Sequence, residues 1–90
     1  MDTKKLEALA TAVQTGSFTR AAEVLGYTQS GLTHMMNSLE KDIGFPLLVR
    51  SRNGIRLSAA GERVLPMIEE LLRAGDALER EIRLINTRRE

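Results

Sequence analysis

The sequence predicts a mainly α-helical chain, with three short helices, a small β-hairpin and one long terminal helix. Three observations carry this prediction. Apolar residues recur at helical spacing in three stretches closed by Gly16, Gly26 and Gly44. The pair Asn53-Gly54 stands between two short apolar or alternating runs, the strongest short-range hairpin signal because both residues tolerate φ > 0. After Ser58, apolar residues and glycines return at alternating steps of four and three as far as Ile85.

Leu6, Leu9, Ala10 and Val13 fall at i, i+3, i+4 and i+7, the stripe of a first amphipathic helix. Ser17 offers an N-cap for a second helix, Thr19–Leu25, whose Ala21 and Ala22 allow another helix to approach closely. Thr28 caps a third, in which Leu32, Met35, Met36, Leu39 and Ile43 form one apolar arc. Two helices joined by so short a glycine-containing turn make a helix-turn-helix. Pro46 stops the third helix. The runs Leu47–Ser51 and Ile55–Leu57, separated by Arg52-Asn53-Gly54, then read as a wing. Ser58 caps the last helix, and Pro66 inside it lacks the N–H that would bond the Glu62 carbonyl, so a kink is expected there. The expected division is a winged helix-turn-helix over 1–57 and a linker or dimerisation helix over 58–90.

Composition narrows the function. With 42% hydrophobic but only 3% aromatic residues in 90, the core must be built from aliphatic side chains, and a large catalytic cleft is not expected. The absence of cysteine removes disulfides, thiolate zinc sites and cysteine nucleophiles together, and His34 is the only histidine, so neither a metal site nor another cofactor is expected. There is no glycine-rich phosphate loop and no nucleophile–base pair, so the chain does not read as an enzyme. No run approaches the roughly 18 apolar residues of a membrane span, and the N-terminus has no long apolar segment behind its charges. The expected location is the cytoplasm.

The formal net charge is only +1, but the charge is unevenly placed. Between Phe45 and Leu57 stand Arg50, Arg52 and Arg56 with no acidic residue, whereas from Ser58 onward six arginines are mixed with seven carboxylates. At about 100° per residue, the side of the third helix opposite its apolar arc carries Ser30, Thr33, His34, Asn37 and Lys41. These groups are short and both donate and accept hydrogen bonds, as base edges in a major groove require, and Gln29 at the helix start can reach the same groove. An ordinary wet helix face would be richer in Glu and Lys. Arg50, Arg52 and Arg56 suit the phosphate backbone or a minor groove. Ser17 and Thr28 read first as caps, and a cap can also touch a phosphate. In the last helix Leu57, Gly61, Val64, Ile68, Leu71, Gly75, Leu78, Ile82 and Ile85 follow the seam of a coiled coil, which predicts self-pairing through Val64, Ile68, Leu71, Gly75, Leu78, Ile82 and Ile85. Close helix approach would account for glycine at 61 and 75, while Leu65 and Leu72, beside the seam, can pack back onto the helix-turn-helix.

The stretches Gly16-Ser17-Phe18-Thr19-Arg20-Ala21-Ala22-Glu23-Val24-Leu25, Thr28-Gln29-Ser30-Gly31-Leu32-Thr33, Leu39-Glu40 with Ile43-Gly44, Leu47-Leu48-Val49-Arg50 and Leu57-Ser58-Ala59-Ala60-Gly61 resemble, in order and spacing, the signature of LysR-type bacterial transcriptional regulators. The resemblance implies a homodimer whose linker helices pair antiparallel and which binds an interrupted inverted repeat in double-stranded DNA. It also implies that the third helix reads the major groove, that Gln29, Ser30, Thr33 and His34 contact bases or phosphates, and that Arg50 and Arg52 lie on the backbone. Full-length members add a C-terminal domain that senses a small-molecule effector and assembles tetramers. Because these 90 residues hold no such domain, the resemblance implies a fragment. Three positions depart from the pattern. Ser30-Gly31 stands where Pro followed by Ala or Ser is common, Leu48 replaces a frequent Phe, and Asn37 occupies a position that is often basic. Two alternatives stay open at this point, a protein-interaction module dimerised by its coiled coil and a winged-helix protein of another family, such as the molybdate-responsive repressors.

Overall fold

A computed structural model describes residues 2–88, so the last two residues of the expected 58–90 helix lie outside the described residues. The elements are α1 (Thr3–Thr15), α2 (Phe18–Leu25), α3 (Gln29–Ile43), β1 (Leu48–Ser51), β2 (Gly54–Leu57) and α4 (Ala59–Arg88). Each helix starts where a short polar side chain accepts a backbone N–H. Asp2 accepts from Lys4, Ser17 from Arg20 at 3.2 Å, Thr28 from Gly31 at 3.0 Å and Ser58 from Gly61 at 2.9 Å. The second helix begins one residue earlier than its apolar pattern suggested, because Phe18 is buried at its N-terminus.

The core lies where α1 meets α2, α3, α4 and β2, and Leu6, Leu9, Leu32, Leu39 and Leu47 are its largest fully buried side chains. Because α1 is covered on several sides, its buried set is Leu6, Ala8, Leu9 and Ala12, wider than a single amphipathic stripe, while Ala10 and Val13 are half-buried. The alanines matter for fit. Ala8 and Ala12 of α1 and Ala21 and Ala22 of α2 are all buried, and none carries the bulk that would hold the two packed helices apart.

The hairpin is antiparallel, with Leu48 opposite Leu57, Val49 opposite Arg56, Arg50 opposite Ile55 and Ser51 opposite Gly54. Its turn is Arg52-Asn53, and Gly54, expected between the strands with them, is the first residue of β2. The reason is backbone conformation. Among the described residues none other than glycine has positive φ, and in the hairpin Gly54, at φ 119°, takes that role alone. Gly54 also lies against the α1–α2 turn, where a Cβ would stand 2.5 Å from the Gly16 carbonyl oxygen, and the next N–H, of Ile55, donates to that oxygen at 3.2 Å. At this point the wing is tied to the helical body by a backbone hydrogen bond.

Helix α4 runs through Pro66 without a break, and its two halves differ. Gly61 and Ile68 are buried, and Val64 and Leu72 pack on the core. Every residue from 73 to 88 is exposed. Two of the seven expected seam residues, Val64 and Ile68, therefore face their own domain, because α4 crosses α1 over this first half. Gly61 is also explained within the chain, since a Cβ there would lie 2.5 Å from the Leu47 carbonyl oxygen. At Gly75 an added Cβ meets nothing within 4 Å in the single chain.

Candidate nucleic-acid interface

The turn between α2 and α3 is Gly26-Tyr27-Thr28. Gly26 adopts the left-handed conformation (φ 76°), and the N–H groups of Gly26 and Tyr27 donate to the carbonyls of Glu23 and Ala22. That paired closure ends α2 in one turn and lets Thr28 begin α3 at once. At the start of α3, Gly31 leaves room for the cap, because a Cβ there would come 2.9 Å from the Thr28 hydroxyl. The departure Ser30-Gly31 thus leaves the helix start intact, with Gln29 as its first residue.

Along α3 the buried arc is Leu32, Met36 and Leu39, with Met35 and Ile43 half-buried against the core. Gln29, Ser30, His34, Asn37 and Lys41 are exposed, and Thr33 is half-buried at the edge of that polar stripe. The helix orientation is fixed from the far side, where Lys5 of α1 donates to the Ser38 hydroxyl at 2.8 Å and pairs with Asp42 at 3.1 Å. That is the one ion pair among the described residues, so the polar stripe itself is not knitted to the rest of the chain by charge.

The three wing arginines do not form a single patch. In the register of the hairpin, paired residues share a face and alternate residues exchange faces. Arg50 therefore lies on the side of Leu48, Ile55 and Leu57, whereas Arg56 lies on the other side with Val49, and Arg52 is in the turn. Arg50 is held with its guanidinium carbon 4.4 Å from the centroid of the Phe18 ring. That cation–π contact places it beside the N-terminus of α2, next to Ser17, which is half-buried and engaged as a cap. The structure so brings Ser17 and Arg50 together at one helix end and Thr28, Gln29 and Ser30 at another, while Arg52 and Arg56 stand apart on the hairpin.

Residues that the sequence did not single out as contacts also shape this surface. Phe18 is the platform for Arg50, and Arg20 joins Lys41, already on the polar face of the helical projection, in adding exposed positive charge on α2 and α3. Glu40 accepts the N–H groups of Leu47 and Leu48 through one carboxylate oxygen, at 2.6 and 3.0 Å. Lys41 was visible in the helical projection, but nothing local in the sequence pairs Glu40 with a strand that starts eight residues later.

Three packed helices with a tight α2–α3 turn, a hairpin beside them and a long fourth helix define a winged helix-turn-helix protein. The pattern describing the bacterial regulatory helix-turn-helix proteins of the lysR family matches residues 3–62, and the chain belongs to that family. It is 42% identical over 82 residues to the HTH-type transcriptional regulator HdfR of Escherichia coli O139:H28, covering 91% of this chain and 29% of that protein. The chain thus spans under a third of the length of the curated relatives it matches. Among solved structures, the CbnR DBD–DNA complex superposes with a TM-score of 0.82 at 32% identity, over 94% of this chain and 99% of that one. The BenM DBD bound to catB site 1 DNA superposes with a TM-score of 0.91 at 25% identity, over 99% of this chain and all (100%) of that one.

Proposed function

We propose that this chain binds double-stranded DNA sequence-specifically as a homodimer and is the DNA-binding part of a bacterial transcriptional regulator working in the cytoplasm. The observation that carries this reading is the outward stripe of α3, short and polar, on a helix whose opposite side is locked in the core. Such a helix can enter a major groove without unfolding anything behind it. In this reading Gln29, Ser30, Thr33, His34 and Asn37 meet base edges and flanking phosphates. Ser17 and Thr28 lend helix N-termini to phosphates, and Arg50, Arg52 and Arg56 hold the backbone. The DNA-bound relatives, CbnR and BenM, support the choice of ligand.

The exposed apolar residues of the outer half of α4, Leu78, Ile82 and Ile85, together with Leu71 at its edge, support self-pairing, since each is about half exposed or more in the single chain. In a longer regulator a C-terminal domain would add effector sensing and tetramer formation. The whole protein would take its small-molecule effector there, and no cofactor is assigned to these residues. Among the described residues no helix is long and apolar enough to cross a membrane.

A fluorescence titration with mixed-sequence duplex at several salt concentrations tests the reading. Binding should weaken steeply with salt, and Arg52→Ala and Arg56→Ala should each lower the slope of log affinity against log salt by about one unit. Selection from random duplexes would then define the operator. A chain that binds duplex with no salt slope, or not at all, overturns the proposal.

A further inference from the structure

A winged reader works only if the element that reads bases and the element that grips the backbone keep a fixed separation. In this chain the connection between them, Gly44 to Leu47, has no regular structure, yet it is fastened on both edges. One oxygen of Glu40, in the last turn of α3, accepts the N–H groups of Leu47 at 2.6 Å and Leu48 at 3.0 Å. The other edge of the same segment is held by Ser58, whose N–H donates to the Leu47 carbonyl at 2.8 Å and whose hydroxyl donates to the Pro46 carbonyl at 2.7 Å. Leu47 is itself 1% exposed, so its N–H has little water to turn to if Glu40 is removed. Hydrogen bonds from backbone N–H to a carboxylate are among the stronger ones available, and here they begin on the helix that carries the polar stripe and end on the first strand of the wing.

We infer that Glu40 is a positioning residue for DNA binding, setting the wing at a fixed register on α3 without touching DNA. This rests on the function proposed above. It also runs against simple electrostatics. Removing an acidic residue from a DNA-binding domain should tighten binding to any duplex. Positioning predicts the opposite for any variant that cannot reach the two amides. Glu40→Gln keeps an oxygen of the same reach with two lone pairs, Glu40→Ala has none, and Glu40→Asp keeps the charge but is one methylene short.

The test compares these three variants with the parent in two measurements. Amide hydrogen exchange in the free protein is expected to accelerate at least about tenfold at Leu47 and Leu48 in the Ala and Asp variants, and to stay near the parent in the Gln variant. In duplex titrations the Ala and Asp variants should bind more weakly and lose about one unit of salt slope, although Ala has gained a net positive charge and Asp has not. Base preference at positions set by α3 should be unchanged in all three. If Glu40→Ala does not fold, the Asp and Gln pair decides the matter. The inference is overturned if Leu47 and Leu48 exchange at the parental rate in the Ala or Asp variant, or if Ala and Gln both tighten binding alike, which is the signature of charge alone. A parent chain that does not bind duplex defeats the proposed function, whereas the exchange measurement still reports whether Glu40 holds the wing.

Discussion

The two halves of α4 carry the same periodic apolar pattern and do different things with it. From Gly61 to Leu72 the helix lies on α1, with Ile68 at 8% exposure, while from residue 73 it projects beyond the body with Leu78 at 61%. The molecule is 55 Å long and 26 Å by 20 Å across, and the projecting half accounts for the elongation. The difference teaches that a coiled-coil spacing specifies a sticky stripe and leaves its partner open. Where α1 is within reach the stripe completes the chain's own core. Where nothing is within reach it remains available to another molecule.

The comparison can be broken most directly at Ile68 and Leu78. Ile68→Ala removes a buried side chain and should cost about 2 to 5 kcal/mol of folding stability, read as a lower thermal or denaturant midpoint. A midpoint unchanged from the parent would mean that α4 does not complete the core. Leu78→Glu should leave the fold of the single chain intact and abolish dimerisation at micromolar concentration, because a pairing of two such helices would bury like charges. Sedimentation equilibrium measures this, and a variant that remains dimeric would refute the outer half as the pairing surface.

The glycines sharpen the same contrast on a smaller scale. In the monomeric Leu78→Glu background, Gly61→Ala should destabilise by about 1 to 3 kcal/mol, since its Cβ would press on the Leu47 backbone. Gly75→Ala, with open space around it, should instead stabilise by up to about 1 kcal/mol through helix propensity. Thermal melts of the two variants should therefore move in opposite directions, and a shift of the same sign in both would erase the distinction between the halves. The smallest expected effect lies on α3, far from this boundary. Thr33→Ala should lower discrimination between the best duplex and single-base variants by about 1 kcal/mol at one position, with an unchanged salt slope. Undiminished discrimination would remove Thr33 from the reading surface.

Much of this architecture is legible in the residues because it depends on neighbours a few positions apart. Ser17, Thr28 and Ser58 cap helices, and Gly16, Gly26 and Gly44 end them, because each cap is settled within one helical turn. The polar stripe of α3 follows from its apolar arc for the same reason, since 3.6 residues per turn fixes both at once. What only the tertiary structure decided are matters between distant residues. Strand register separated Arg50 from Arg56, although the two lie in one short basic run. Gly54 and Ile55 meet the Gly16 carbonyl from a distant part of the sequence, and the packing of α4 on α1 divided a single periodic stripe into a core half and a free half. Glu40 reached the wing across a connection that carries no periodic signal. Periodicity reports which residues share a face, but the partner of that face depends on which surfaces the folded chain brings within contact distance.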